Sequence, residues 1–305
     1  MFQLMLVLLA LGAVMQETRT PEATSLLGKP LFAPSISVER TAVLKEDLAA
    51  AQAALEKDPG STDAIIWVGR RTAYLGRYRD AIAVFTTGIS KHPSDPRLLR
   101  HRGHRYISTR QFDKAIVDLT KAAALVKGRP DEVEPDGQPN AKNTPTSTLT
   151  TNIYYHLGLA HYLAGDFAKA ADAYRLCMEH SKNADMQVAT AHWQYMTLRR
   201  LGRKAEAAAV LVPVTADMAI IENESYHRLL MMYKGATDAA TLLAASRAES
   251  LDAVTIGYGV ANWHLYGGRK EEARTILTEI TDKYRSTQWP GFGYVASEAD
   301  LARLR

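Results

Sequence analysis

Residues 64–93 read AIIWVGRRTAYLGRYRDAIAVFTTGISKHP. The stretch divides at Gly76. Ala64–Leu75 carries its apolar residues at helical spacing, and Ala81–Ile89 does so again before His92-Pro93 closes the run. A glycine between two helical periods permits the left-handed turn that ends the first helix. The aromatic two residues later, Tyr78, is placed to pack between the pair. The reading is a helix–turn–helix hairpin, and the question is whether it stands alone.

It recurs along the chain. Gly76-Arg-Tyr78-Arg-Asp-Ala81 is echoed by Arg110-Gln-Phe112-Asp-Lys-Ala115 and by Gly165-Asp-Phe167-Ala-Lys-Ala170. It is echoed again by Gly202-Arg-Lys-Ala-Glu-Ala207 and Gly268-Arg-Lys-Glu-Glu-Ala273. Ala81 and Ala115 are 34 residues apart. A fixed period of this size marks a stacked-repeat architecture, because one helix pair cannot bury its apolar face alone.

The pattern resembles the tetratricopeptide repeat, through Gly69, Gly76, Tyr78, Ala81, Phe85 and Pro93 in the first copy. The second copy matches through Gly103, Tyr106, Phe112, Ala115 and Ala122, with Arg110 where the turn glycine is usual. The third matches through Tyr154, Leu157, Gly158, Gly165, Phe167, Ala170 and Tyr174. The copies around Gly202 and Gly268 keep the turn and the alanine but lack the earlier glycine. The fold class expected is all-α, a right-handed α-solenoid of about five helix–turn–helix repeats. Leu44–Lys57 is expected to be an unpaired helix that caps its start. Trp67, Trp193 and Trp263 fall on first helices and are expected to pack. Cys177 stands where the family places a small buried alanine, so a buried structural thiol is expected rather than a nucleophile partnered by His180.

Composition agrees with a folded helical chain. Alanine and leucine are abundant, apolar residues make up 47%, and the net charge is +4 over 305 residues. So small a charge demands no nucleic-acid partner. A single cysteine forms no internal disulfide. No phosphate-cradling glycine loop, Gly-x-Ser-x-Gly elbow or His-Glu-x-x-His helix is present, so no cofactor and no enzyme activity is implied.

The organisation expected is a signal peptide over residues 1–16, a linker over 17–40, the array over 41–288, and a C-terminal loop and helix over 289–305. Leu4–Val14 is a continuous apolar run of signal-peptide length, though no Lys or Arg precedes it. It predicts an exported, periplasmic or secreted protein that meets the membrane only transiently, or a cytoplasmic one if the segment is no signal. Ser297-Glu-Ala-Asp300 resembles a capping box opening a last helix over the apolar end of the stack.

The array is interrupted. Ala115 to Ala170 is 55 residues, 21 more than one repeat. The excess, at 128–150, holds Pro130, Pro135, Pro139 and Pro145 and is expected to be a loop. It enters between the second and third repeats, where it can lie across the groove. Glu132-x-Glu134-x-Asp136-Gly137 within it resembles half of a calcium loop, but Asn143 stands where a bidentate acid is needed. An acidic solvated loop is the simpler reading.

In the family, first helices line the concave face, where extended peptides commonly bind. By position, the resemblance puts Arg70 and Tyr74 of the first repeat there, Arg97, Arg100, His101 and His104 of the second, and Tyr155 and Tyr162 of the third. That set implies a protein or peptide partner bearing carboxylates and apolar anchors. The Lys/Asn set by which one subtype grips a C-terminal carboxylate is missing, since Ile66 and Arg70 stand at those positions. His101 and His104 are three apart, but a metal needs more ligands and Arg100, Arg102 and Arg105 oppose a cation, so no metal is expected. Three alternatives stay open. Arg97–Arg110, with five arginines and no acid, can be a polyanion-binding helix or merely a solubilising one. The 128–150 loop can hold an enzyme site.

Overall fold

The computed structural model describes residues 20–246 and 250–305. The leader expected over 1–16 therefore lies outside the described residues. A short antiparallel ribbon, β1 (Ala23–Thr24) and β2 (Pro30–Leu31), is followed by helices and their connecting loops among the described residues. These are α1 (Val38–Lys57), α2 (Thr62–Tyr74), α3 (Tyr78–Lys91), α4 (Pro96–Ser108), α5 (Phe112–Val126), α6 (Leu149–Ala164) and α7 (Phe167–His180). Then come α8 (Ala184–Arg200), α9 (Lys204–Leu211), α10 (Glu224–Tyr233), α11 (Ala239–Ser246), α12 (Ser250–Tyr266), α13 (Lys270–Lys283) and α14 (Phe292–Arg303). Each even-numbered helix from α2 to α12 packs on the odd-numbered helix after it, and α1 packs on α2. The result is an all-α solenoid of six hairpins.

The local chemistry follows the repeat. Ser61, Asp95, Asp166 and Asn183 cap the helices they precede by accepting a backbone N–H. Thr148 forms a reciprocal capping box with Thr151. Gly69 is pressed against the Phe85 ring, so any side chain there would displace α3. Gly76, Gly165, Gly202 and Gly268 take the left-handed turn, and Arg110 takes it too, at φ 62°. The core is continuous, with Phe85, Leu98, Ile107, Leu119, Tyr174 and Trp193 buried.

Cys177 is buried as expected, with Sγ near Thr190 Oγ1 and Thr151 O, and burial pushes its pKa up to about 11. Trp193 is core. Trp67 is only half-buried and carries the Arg70 guanidinium over its ring at 4.6 Å.

Two segments differ from expectation. Within the supposed linker, Leu31 is fully buried and Ser35 N–H donates to Ser286 O. The Phe32 carbonyl accepts the Trp289 indole N–H at 2.6 Å. The segment is thus strapped to the chain's other end. At that end the last helix begins at Phe292, and Ser297 lies mid-helix, its hydroxyl donating to Gly293 O. The helix starts early because Phe292 inserts among His104, Tyr155 and His156, on first helices of two repeats. It packs on α6, α12 and α13. Its Glu298 pairs with Arg110 at 2.9 Å and its Asp300 with Arg200 at 3.0 Å, all largely buried. α14 therefore packs on the last hairpin and also reaches the first helices of earlier repeats, on the inner side of the array.

Candidate functional site

α2 and α4, the first helices of two successive hairpins, present Arg70 and Arg100 on the same inner side as Asn152 of α6. The loop between α5 and α6 comes down onto them. Its root is fixed by a bridge between Val133 and Thr148 and by Leu149 N–H donating to Glu132 O at 2.9 Å. Asp131 accepts from the Thr148 hydroxyl and the Thr150 N–H, which holds its carboxyl below the usual range against the opposing effect of burial. Its far arm reaches Glu222, which accepts from Asn140 and Thr146, while Asn183 donates to Thr146 O.

Between these anchors Glu134 turns inward and is buried. Its Oε2 lies 3.1 Å from Arg100 Nε and accepts from Asn152 Nδ2 at 3.1 Å. Its Oε1 lies 3.5 Å from His101 Nε2. The Arg100 contact is off the N–H axis, so it is an ion pair and not an aligned hydrogen bond. Arg100 Nη1 lies 3.0 Å from His101 Nδ1. A guanidinium only donates, so that nitrogen accepts and the ring proton sits on Nε2, aimed at Glu134. Burial and the neighbouring Arg100 charge keep the imidazole pKa well below its ordinary value, hence neutral. Downstream, Arg70 donates to Pro135 O at 2.7 Å and Arg71 to Gly137 O at 3.0 Å, and Arg70 Nε reaches the Tyr74 hydroxyl.

The expected groove residues thus divide. Arg70, Tyr74, Arg100 and His101 converge on residues 134–137. Arg97 lies at the rim, paired with Asp95 and Asp63. His104 packs at a tilt against His156 and Phe292. Tyr155 and Tyr162 do not face a groove. Tyr155 is buried with its hydroxyl on Tyr226. Tyr162 is buried with its hydroxyl on Tyr258 and Asn262, because α14 and α12 cover that stretch of the inner face. Nor is the loop solvated throughout, since Glu134 turns in while Asp136 faces outward and accepts only the Gln138 N–H. That divergence leaves no shared oxygen cage for a calcium ion.

The arginines of Arg97–Arg110 are engaged in the fold. Arg102 makes a two-pronged pair with Asp118 at 2.7 and 2.8 Å. Arg105 lies over the Tyr78 ring, and Arg110 grips Glu298 and the Trp289 carbonyl. With Arg97 and Arg100 paired as above, the helix presents no free row of guanidinium groups.

Residues missed from sequence are Arg71 and the loop's own Glu134 and Gly137 as occupants. The four prolines and the point of entry between repeats were the visible signal. Beside the cage lies a half-open cavity of about 180 Å³, lined in part by Ile66, Trp67, Arg97 and Val133.

Tetratricopeptide-repeat family models match residues 68–132 and 153–183. The chain carries tetratricopeptide repeats. Among solved structures this repeat protein is similar to YrrB, a tetratricopeptide-repeat protein with an unusual peptide-binding site, at 13% identity, 79% of this chain, 95% of that chain and TM-score 0.44. It is also similar to a tetratricopeptide-repeat protein from Parabacteroides merdae, at 15% identity, 85% and 96% coverage and TM-score 0.49. Naa15/Naa10 bound to HypK-THB aligns at 15% identity, 83% and 36% coverage and TM-score 0.37. All three scores are below 0.5, so the assignment rests on the family models and the repeat geometry. Among curated proteins none matches the sequence.

Proposed function

We propose that this repeat protein is a non-catalytic scaffold or assembly factor that binds a protein partner along the inner face of its first hairpins. One observation carries the reading. Donors from three successive first helices converge on one carboxylate and two peptide carbonyls. That is how an extended acidic segment is held by side chains, with charge-assisted bonds to the acid and bonds to the backbone fixing register. The half-buried Trp67 beside the cage supplies an anchor of the kind enriched at interface hot spots.

The test is photo-cross-linking from Trp67→p-benzoylphenylalanine in the full chain expressed in its own cells. A discrete adduct is expected, weakened by Arg70→Ala/Arg97→Ala. No adduct above that from Val117, an outward residue of α5 with 66% exposure, refutes the reading. Export belongs to the same proposal. Amino-terminal sequencing of the mature protein is expected to begin near residue 17, and an intact Met1 contradicts it.

A further inference from the structure

The segment that fills the cage is selected residue by residue. Position 134 must be an acid to answer Arg100, His101 and Asn152. Pro135 holds the preceding residue extended, which delivers that carboxylate into the cage. Asp136 is exposed and makes no contact with the helices, so its identity is free. Gly137 is buried, and a Cβ there would overlap the Tyr74 hydroxyl and come within 2.7 Å of Arg70 Nη2. The face of α2, α4 and α6 therefore reads Glu-Pro-x-Gly.

The occupant is held almost wholly by polar contacts. Val133 is 61% exposed and Pro135 is exposed as well, so the segment buries little apolar surface. The packing of α2, α3 and α4 proceeds without it, through Ile65, Phe85 and Leu98. Lifting the segment returns Arg70, Arg100 and Glu134 to water and opens no hydrophobic core. The neighbouring cavity, walled by Ile66 and Trp67, offers room for an apolar side chain on a longer ligand.

We propose that residues 134–137 are a built-in ligand of this face, and that the partner is a protein segment carrying Glu-Pro-x-Gly that displaces them. The proposal rests on the scaffold reading above and names its ligand. A tethered occupant competes at an effective concentration on the order of millimolar, so the resting chain binds the same sequence weakly in trans.

The probe is a fluorescent synthetic peptide of residues 130–139. The protein is the full chain with 131–147 replaced by a Gly/Ser linker, checked for unchanged helicity and melting. The expected result is binding at least tenfold tighter than to the unmodified chain, weakened at least tenfold by Glu134→Gln or Gly137→Ala in the peptide. A folded replacement chain that does not bind, or that binds all three peptides equally, overturns the proposal. The Glu134→Ala full chain, which keeps its loop, is the second protein if the replacement misfolds, and the same tenfold gain is required of it. Concentration-dependent dimerisation of that chain without peptide binding assigns the face to a second copy and overturns the proposal too. A retained Trp67 adduct with no peptide binding counts against this proposal alone, and peptide binding with no adduct counts against the scaffold reading alone.

Discussion

Arg110 stands where the repeat calls for glycine, and it accepts a left-handed backbone at φ 62° to put its guanidinium on Glu298. A non-glycine residue there costs roughly 1 kcal/mol, so something must hold it. Glu298 does, and it is fully buried. Removing one partner of a buried pair leaves the other charge without compensation. Glu298→Ala is therefore expected to lose about 3–5 kcal/mol in urea unfolding, and a loss below about 1 kcal/mol contradicts the buried pair. His192 makes a second case. Burial pushes its pKa down to about 3, whereas the unfolded ring titrates near ~6.5. Between those values the unfolded state binds a proton that the native state refuses, so stability is lost as pH falls below the unfolded value. From pH 7.5 to pH 5 that loss is about 2 kcal/mol for this ring, and His192→Gln is expected to reduce the pH dependence of unfolding by that amount. An unchanged pH dependence means the ring is not held neutral. The misplaced arginine was legible in the sequence as an exception to the motif, but its acid was not, because Glu298 lies 188 residues away.

The helices of the first three hairpins were readable because their signals are local: small residues at crossings, aromatics after turns, caps before them. The two ends were readable only in part. Residues 20–36 have turn composition and little periodicity, and their order comes from Leu31, Phe32 and Ser35 meeting a partner more than 200 residues distant. α14 was expected to start at Ser297 because Ser-Glu-Ala-Asp is a good cap. The helix starts at Phe292 because tertiary packing of that ring outweighs local cap chemistry. Trp289 joins these two elements, packing edge-on to Tyr78 at 5.2 Å while donating to Phe32 O. Trp289→Ala is expected to cost about 3–5 kcal/mol and to raise amide exchange in the β1–β2 ribbon together with the start of α14. Fast exchange in the ribbon with α14 unaffected would show that the two are not one unit.

At the scale of the molecule, the inner face of the array is covered by its own chain twice. α14 lies against it through buried ion pairs and aromatic packing, whereas residues 134–137 lie against it through polar contacts that strand little apolar surface when broken. The sequence located the face and the interruption but assigned Tyr155 and Tyr162 of the third repeat to a groove, since nothing local shows that another helix covers them. A fixed loop and a detachable one predict different consequences for loss of one carboxylate. If the loop is a fixed part of the fold, Glu134→Ala leaves Arg100 buried and unpaired, at a cost of about 3–5 kcal/mol to the whole molecule. If it is a detachable occupant, it lifts and Arg100 is rehydrated. Hydrogen exchange with a parallel unfolding curve on full-length Glu134→Ala decides between them. The account predicts faster exchange confined to residues 131–149 and to the facing turns of α2 and α4, with global stability within about 1 kcal/mol of the parent. A global loss of about 3–5 kcal/mol, with faster exchange throughout the first three hairpins, contradicts it.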